Sequence, residues 1–181
     1  MDGTLRYSPM RGPRALRPLA HVIAGFDLAA GWSLVAMIGV MVAVVSAQVA
    51  LRYMFNSSID WADELARLCF VWSIFIAIPL GLKGGAHIGI EMVASRLPAV
   101  MRRNLARVVA LTGAALLLLV AWESATMAWD QWDELMASMS ASAAWFVVPL
   151  VVAGVHGALH LIWQAATGEM HVDPELQAEL S

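Results

Sequence analysis

The 181-residue chain is 60% hydrophobic and only 14% charged, with a net charge of −3 and a mean hydropathy of +0.70. Soluble domains run nearer ~25% charged, so a water-soluble core under a polar coat is excluded and a small helical bundle in lipid is expected. The single cysteine, Cys69, excludes an internal disulfide and any multi-cysteine metal site; it reads as a small apolar side chain in a helix.

Residues 1–20 form a basic segment carrying Arg6, Arg11, Arg14 and Arg17. Residues 28–51 follow without a single charge, and at ~1.5 Å per residue they reach roughly 36 Å, beyond the ~30 Å hydrocarbon layer. A cleaved signal peptide is the competing reading, since Val45-Ser46-Ala47 mimics a cleavage site. The apolar run exceeds the ~7–15 residues of a signal core, which favours a retained first span.

The second span is expected at about 60–82. Its uncharged part, 68–82, reaches only ~22 Å, so the helix must start earlier, with Arg67 buried in protein or snorkelling to the headgroups. Ser57-Ser58-Ile59-Asp60 resembles a capping box, placing Asp60, Asp63 and Glu64 near the positive end of the helix dipole. Asp63 and Glu64 lie four and three residues before Arg67, within pairing distance on a helix. Pro79 should kink the helix, and Gly81, Gly84 and Gly85 should end it.

Residues 86–98 are too short and too polar to cross. With Ile88, Met92 and Val93 opposed to Glu91 and Arg96, they predict a short amphipathic helix on the membrane surface. The third span, about 106–129, is interrupted only by Glu123. The fourth, about 143–166, holds Pro149 in its first half, which neighbouring helices can tolerate. Small residues recur four apart at Ala43 and Ala47, Ala110 and Ala114, and Gly154 and Ala158, a weak signal for close helix approach.

Charge placement sets the expected orientation. With a cytoplasmic N-terminus, nine basic residues (Arg6, Arg11, Arg14, Arg17, Lys83, Arg96, Arg102, Arg103, Arg107) fall inside and only Arg52 and Arg67 outside. The acidic loop around Asp130, Asp133 and Glu134 then faces outward, and Trp122, Trp129, Trp132 and Trp145 gather near that surface. The tail, 169–181, is acidic and returns inside. The expected fold is therefore all-α and integral to the membrane. Four transmembrane helices within 21–168 and one surface helix leave both termini cytoplasmic.

No catalytic constellation emerges, so no enzymatic activity is expected. There is no Gly-rich phosphate loop, and the acidic pairs at span ends read first as solvated or dipole-compensating charges. His87 and Glu91 are four apart, but two ligands do not make a metal site. His156 and His160, four apart on span four, could serve with His21 as axial haem ligands; the plainer reading is hydrogen bonding between helices. No cofactor or metal is expected.

One series remains: Gln48-Val49-x-x-Arg52-Tyr53-x-Phe55-Asn56, then Trp61-x-Asp63-Glu64-Leu65-x-Arg67, then Ala86-His87-Ile88-Gly89-Ile90 and Arg96-Leu97-Pro98. This ordered series resembles the small membrane subunit of the tripartite ATP-independent periplasmic (TRAP) transporters of bacteria and archaea. Span four departs from the family pattern, with Ser140-Ala141-Ser142 ahead of Trp145 and Pro149.

The resemblance implies a non-catalytic scaffold in the bacterial inner membrane. It would pair with a large multi-span subunit for ion-driven uptake of an organic acid delivered by a periplasmic binding protein. It also marks Gln48, Arg52, Tyr53, Asn56, Trp61, Asp63, Glu64, Arg67 and His87 as interface or structural positions, with lipid and protein as partners and no nucleic acid. Two alternatives stand beside it: a haem-bearing membrane anchor of a redox enzyme, and a self-sufficient small exporter using a deep ionisable residue such as Glu123.

Overall fold

A computed structural model describes residues 17–83 and 98–167. The expected surface helix and His87 lie outside them. Among the described residues the protein is all-helical, and four helices are long and apolar enough to cross a membrane. They are α1 (Arg17–Phe55), α2 (Ala62–Lys83), α3 (Ala99–Asp130) and α4 (Val148–Thr167).

Helix α1 starts well before the charge-free stretch from which the first span was counted. Its 39 residues measure roughly 58 Å, so part of it must project beyond the hydrocarbon layer. Asn56 stops it, with φ of 48°, the left-handed region that a short polar side chain tolerates better than other non-glycine residues. The Ser57 N–H folds back to the Leu51 carbonyl at 3.3 Å, closing the helix end much as a Schellman turn does.

The turn into α2 is tight. The Ala62 N–H donates to the Ile59 carbonyl at 3.1 Å, and Asp63 and Glu64 occupy the first helical turn. The helix thus begins two residues later than expected. It passes through the buried Pro79 and continues to Lys83.

Helix α3 also starts earlier than the sequence suggested, directly after Pro98, and its 32 residues end where the Gln131 N–H bonds the Met127 and Trp129 carbonyls. The following loop is pinched by an antiparallel bridge between Leu135 and Ser142. The Met136 N–H reaches the Ala141 carbonyl and the Ala143 N–H the Glu134 carbonyl, both at 2.8 Å. Ser142 then caps a 3-10 turn, Ala143–Phe146, by accepting the Ala144 N–H.

The fourth span therefore differs from expectation. It is a 3-10 turn followed by a separate helix, and Pro149 lies in the first turn of α4 rather than inside a continuous helix. A proline there forfeits no helical hydrogen bond, because first-turn N–H groups have no intrahelical acceptor.

In space the helices do not follow chain order. Helix α4 packs most extensively on α3 and also on α2; α1 lies along α2 and meets α4 over only a few residues. The row reads α1, α2, α4, α3, with α4 the most buried.

Small side chains set the α3–α4 contact. Ala110, Ala114, Ala121 and Ala128 are buried on α3, and Ala114 joins Ala158, Leu161 and the partly buried Leu117 in the core. Of the three small-residue pairs, Ala110/Ala114 and Gly154/Ala158 are buried here. Ala43 and Ala47 are exposed on α1. No residue in the most apolar stretch of α1 is buried, so that surface contributes little to the core of its own chain.

Candidate functional site

Two polar constellations stand out against this apolar frame. The first is the corner where α1 turns into α2, which holds most of the motif residues. Arg52, Tyr53, Asn56, Trp61, Asp63 and Arg67 are exposed, while Gln48 and Glu64 are half-buried. The sequence suggested that Asp60, Asp63 and Glu64 would pair with Arg52 and Arg67. Among the described residues no such ion pair forms.

Glu64 turns instead to the loop after α3. Its Oε1 accepts the Ala137 N–H at 3.0 Å, and its Oε2 accepts the Ser138 N–H at 2.8 Å and the Ser138 hydroxyl at 2.5 Å. One carboxylate thus satisfies two backbone donors of an irregular segment that lies 73 residues away in sequence. Three tryptophans hold the other side of the same loop. The Trp72 indole N–H donates to the Trp145 carbonyl at 2.9 Å, and the Trp145 ring lies 6.1 Å from Trp72 and 6.4 Å from Trp132. These are tilted contacts within the favourable range for aromatic pairs.

The tryptophans read as an interfacial belt from sequence are therefore, in part, a clamp between α2 and the loop. Glu64→Ala should raise amide exchange most at Ala137 and Ser138 while leaving the helical circular dichroism unchanged. Unaltered exchange there would mean that the tryptophans alone hold the loop.

The second constellation was not legible as a unit. Asp27 sits on α1, one residue before the charge-free stretch, and is buried against α4. Its Oδ1 lies 2.9 Å from His156 Nε2 and 2.8 Å from His160 Nε2. All three residues are buried, at 7%, 4% and 7% exposure. Their four-residue spacing puts both imidazoles on one face of α4, with ring centroids 5.0 Å apart, and Phe26 lies 5.7 Å from the His156 ring.

His21 is exposed and stands outside this group. The haem reading needs His21 from α1 opposite a histidine of α4, whereas both buried histidines are bonded to Asp27 and His21 is not grouped with them. The plainer reading of His156 and His160, as a link between helices, matches what is seen. Asp27 escaped notice because it precedes the first span as counted and its partners lie 129 and 133 residues downstream.

Comparison with known proteins agrees with the resemblance drawn from the sequence. A family model described as the DctQ component of the tripartite ATP-independent periplasmic transporters matches residues 41–169. The C4-dicarboxylate TRAP transporter small permease protein DctQ of Vibrio cholerae is 33% identical over 87 residues, 46% of this chain and 38% of that protein. A putative TRAP transporter small permease protein of Haemophilus influenzae is 30% identical over 83 residues, 46% of this chain and 50% of that protein. The sialic acid TRAP transporter small permease protein SiaQ of Vibrio cholerae is 24% identical over 124 residues, 67% of this chain and 70% of that protein. The aligned part spans half or less of the first two relatives. With the family match covering well over half of this chain and four helices able to cross a bilayer, the chain belongs to the DctQ component family, the small permease subunits of TRAP transporters, and is a multi-pass inner-membrane protein.

Proposed function

We propose that this subunit is a non-catalytic scaffold that pairs with the large membrane subunit of a TRAP transporter. The pair would take up an organic acid, delivered by a periplasmic binding protein, at the expense of an ion gradient. Membership of a tripartite family supports the partnering. The relatives named for C4-dicarboxylate and sialic acid both point to carboxylate substrates.

The observation that carries the scaffold reading is the exposure of α1. Its most apolar stretch buries nothing within its own chain, and Trp32 and Val35 stand 70% and 65% exposed. An apolar stretch with no buried residue fits a surface that docks on another apolar subunit. Arg52 and Arg67 add to this, since they are exposed at the α1–α2 corner while Glu64 is engaged by the loop.

The nine-to-two basic asymmetry supports cytoplasmic termini; cytoplasmic activity from a reporter fused near Asp133 would reverse that orientation. Coexpression with the large subunit should yield a one-to-one complex. Arg67→Ala should lower both its yield and uptake, and Glu175→Ala should lower neither. Full-rate transport by the large subunit without this chain would end the scaffold reading.

A further inference from the structure

We propose that Asp27, His156 and His160 form a binding site for one divalent transition-metal ion of the Zn²⁺ type, joining α1 to α4. One potential ligand atom from each residue lies within 4.8 Å of the other two. Two imidazole nitrogens and one carboxylate oxygen are a donor set that borderline divalent metals favour over the oxygen-only sets of Ca²⁺ and Mg²⁺. The His-x-x-x-His spacing holds two of the donors on consecutive turns of one rigid helix. The third comes from a different helix, so the site exists only in the folded chain.

With an ion bound, both nitrogens would act as ligands through their lone pairs rather than as N–H donors. Ligand atoms at ~2.0–2.2 Å from a tetrahedral Zn²⁺ stand ~3.3 Å apart, so seating the ion requires the two Nε2···Oδ1 separations to widen by roughly half an ångström. Three protein ligands leave a fourth position for water.

The site has a mechanical role in this fold. Helices α1 and α4 share few contacts, and the ion would tie them together near the N-terminal end of α1. The family match covers residues 41–169, so His156 and His160 lie inside the matched region and Asp27 outside it. The site is independent of the scaffold reading, because metal binding is measured on the subunit alone.

The test uses the full chain, purified in detergent with an affinity tag free of histidine and titrated with Co²⁺. About one equivalent should bind with the visible d–d bands of a tetrahedral nitrogen–oxygen site, and Zn²⁺ should displace it. Asp27→Asn and His160→Gln should each weaken binding by more than the ~10–100-fold typical of removing a mere outer-shell partner. His87→Gln should bind as the wild type does.

Wild-type protein without d–d bands would overturn the site whatever the variants do. Binding lost in His87→Gln and kept in His160→Gln would also overturn it. So would imidazole NMR signals of His156 and His160 in wild-type protein that do not respond to Zn²⁺.

Discussion

Replacing His156 and His160 together by leucine is expected to destabilise the bundle by ~3–5 kcal/mol, the range for breaking a buried charge pair by removing one partner. Asp27 would keep its place on α1 while losing both imidazoles from its Oδ1. The triple variant with Asp27→Leu as well should recover most of the loss, because well-packed apolar residues often replace a buried ionic group at little or no cost. Unfolding in mixed micelles, followed by circular dichroism, reads both. A double variant as stable as the wild type would mean that the carboxylate needs neither histidine. A triple variant as weak as the double would point to lost packing rather than to a stranded charge.

The second large effect is expected at Gly154. A methyl group there would lie 2.8 Å from the Leu117 carbonyl oxygen and 2.9 Å from the Ala121 Cβ. Neither atom can swing aside, since one is backbone and the other is fixed to it. Gly154→Ala should therefore force α3 and α4 apart and lower stability by ~1–3 kcal/mol, the usual range for overpacking a tight core.

Gly157 is the internal comparison. Its added methyl would meet Leu117 Cδ1 at 2.9 Å and Leu82 Cδ1 at 3.2 Å, both ends of flexible side chains, so Gly157→Ala should be milder. Thermal denaturation in detergent should rank wild type, then Gly157→Ala, then Gly154→Ala. Equal midpoints for wild type and Gly154→Ala would contradict the close approach.

The contrast between these two sites explains how much could be read in advance. Four spans followed from composition, because continuous apolar runs of this length report the solvent directly. The spacing of Gly154 and Ala158 hinted at close packing, but only the fold separates a glycine facing backbone from one facing side-chain tips. Helix ends were less legible. A hydropathy count stops where charge begins, whereas α1 continues as a helix back to Arg17, past the point where burial against α4 makes Asp27 acceptable.

The acidic motif had a similar fate. Local spacing offered Glu64 a partner on its own helix face, Arg67, yet its hydrogen bonds go to Ala137 and Ser138. A pairing 73 residues apart has no local periodicity to announce it. The Pro149 difference is of another kind: a proline within an apolar run is compatible with a kink or with a fresh helix start, and the Ser142-capped 3-10 turn decides for the latter.

The spatial order α1, α2, α4, α3 also bears on how the chain is made. Synthesis delivers helices from the N-terminus, so α1 and α2 can pair as a hairpin early, and α3 then enters without its main neighbour. The helix that joins the two halves leaves the ribosome after the other three. Until it arrives, Asp27 is without the histidines that engage it. Helix α4 thus completes both the α1 contact and the packing of α3 at one late step. A nascent chain cut before Val148 would present the insertion machinery with a carboxylate on α1 that has neither imidazole and with the buried alanines of α3 uncovered.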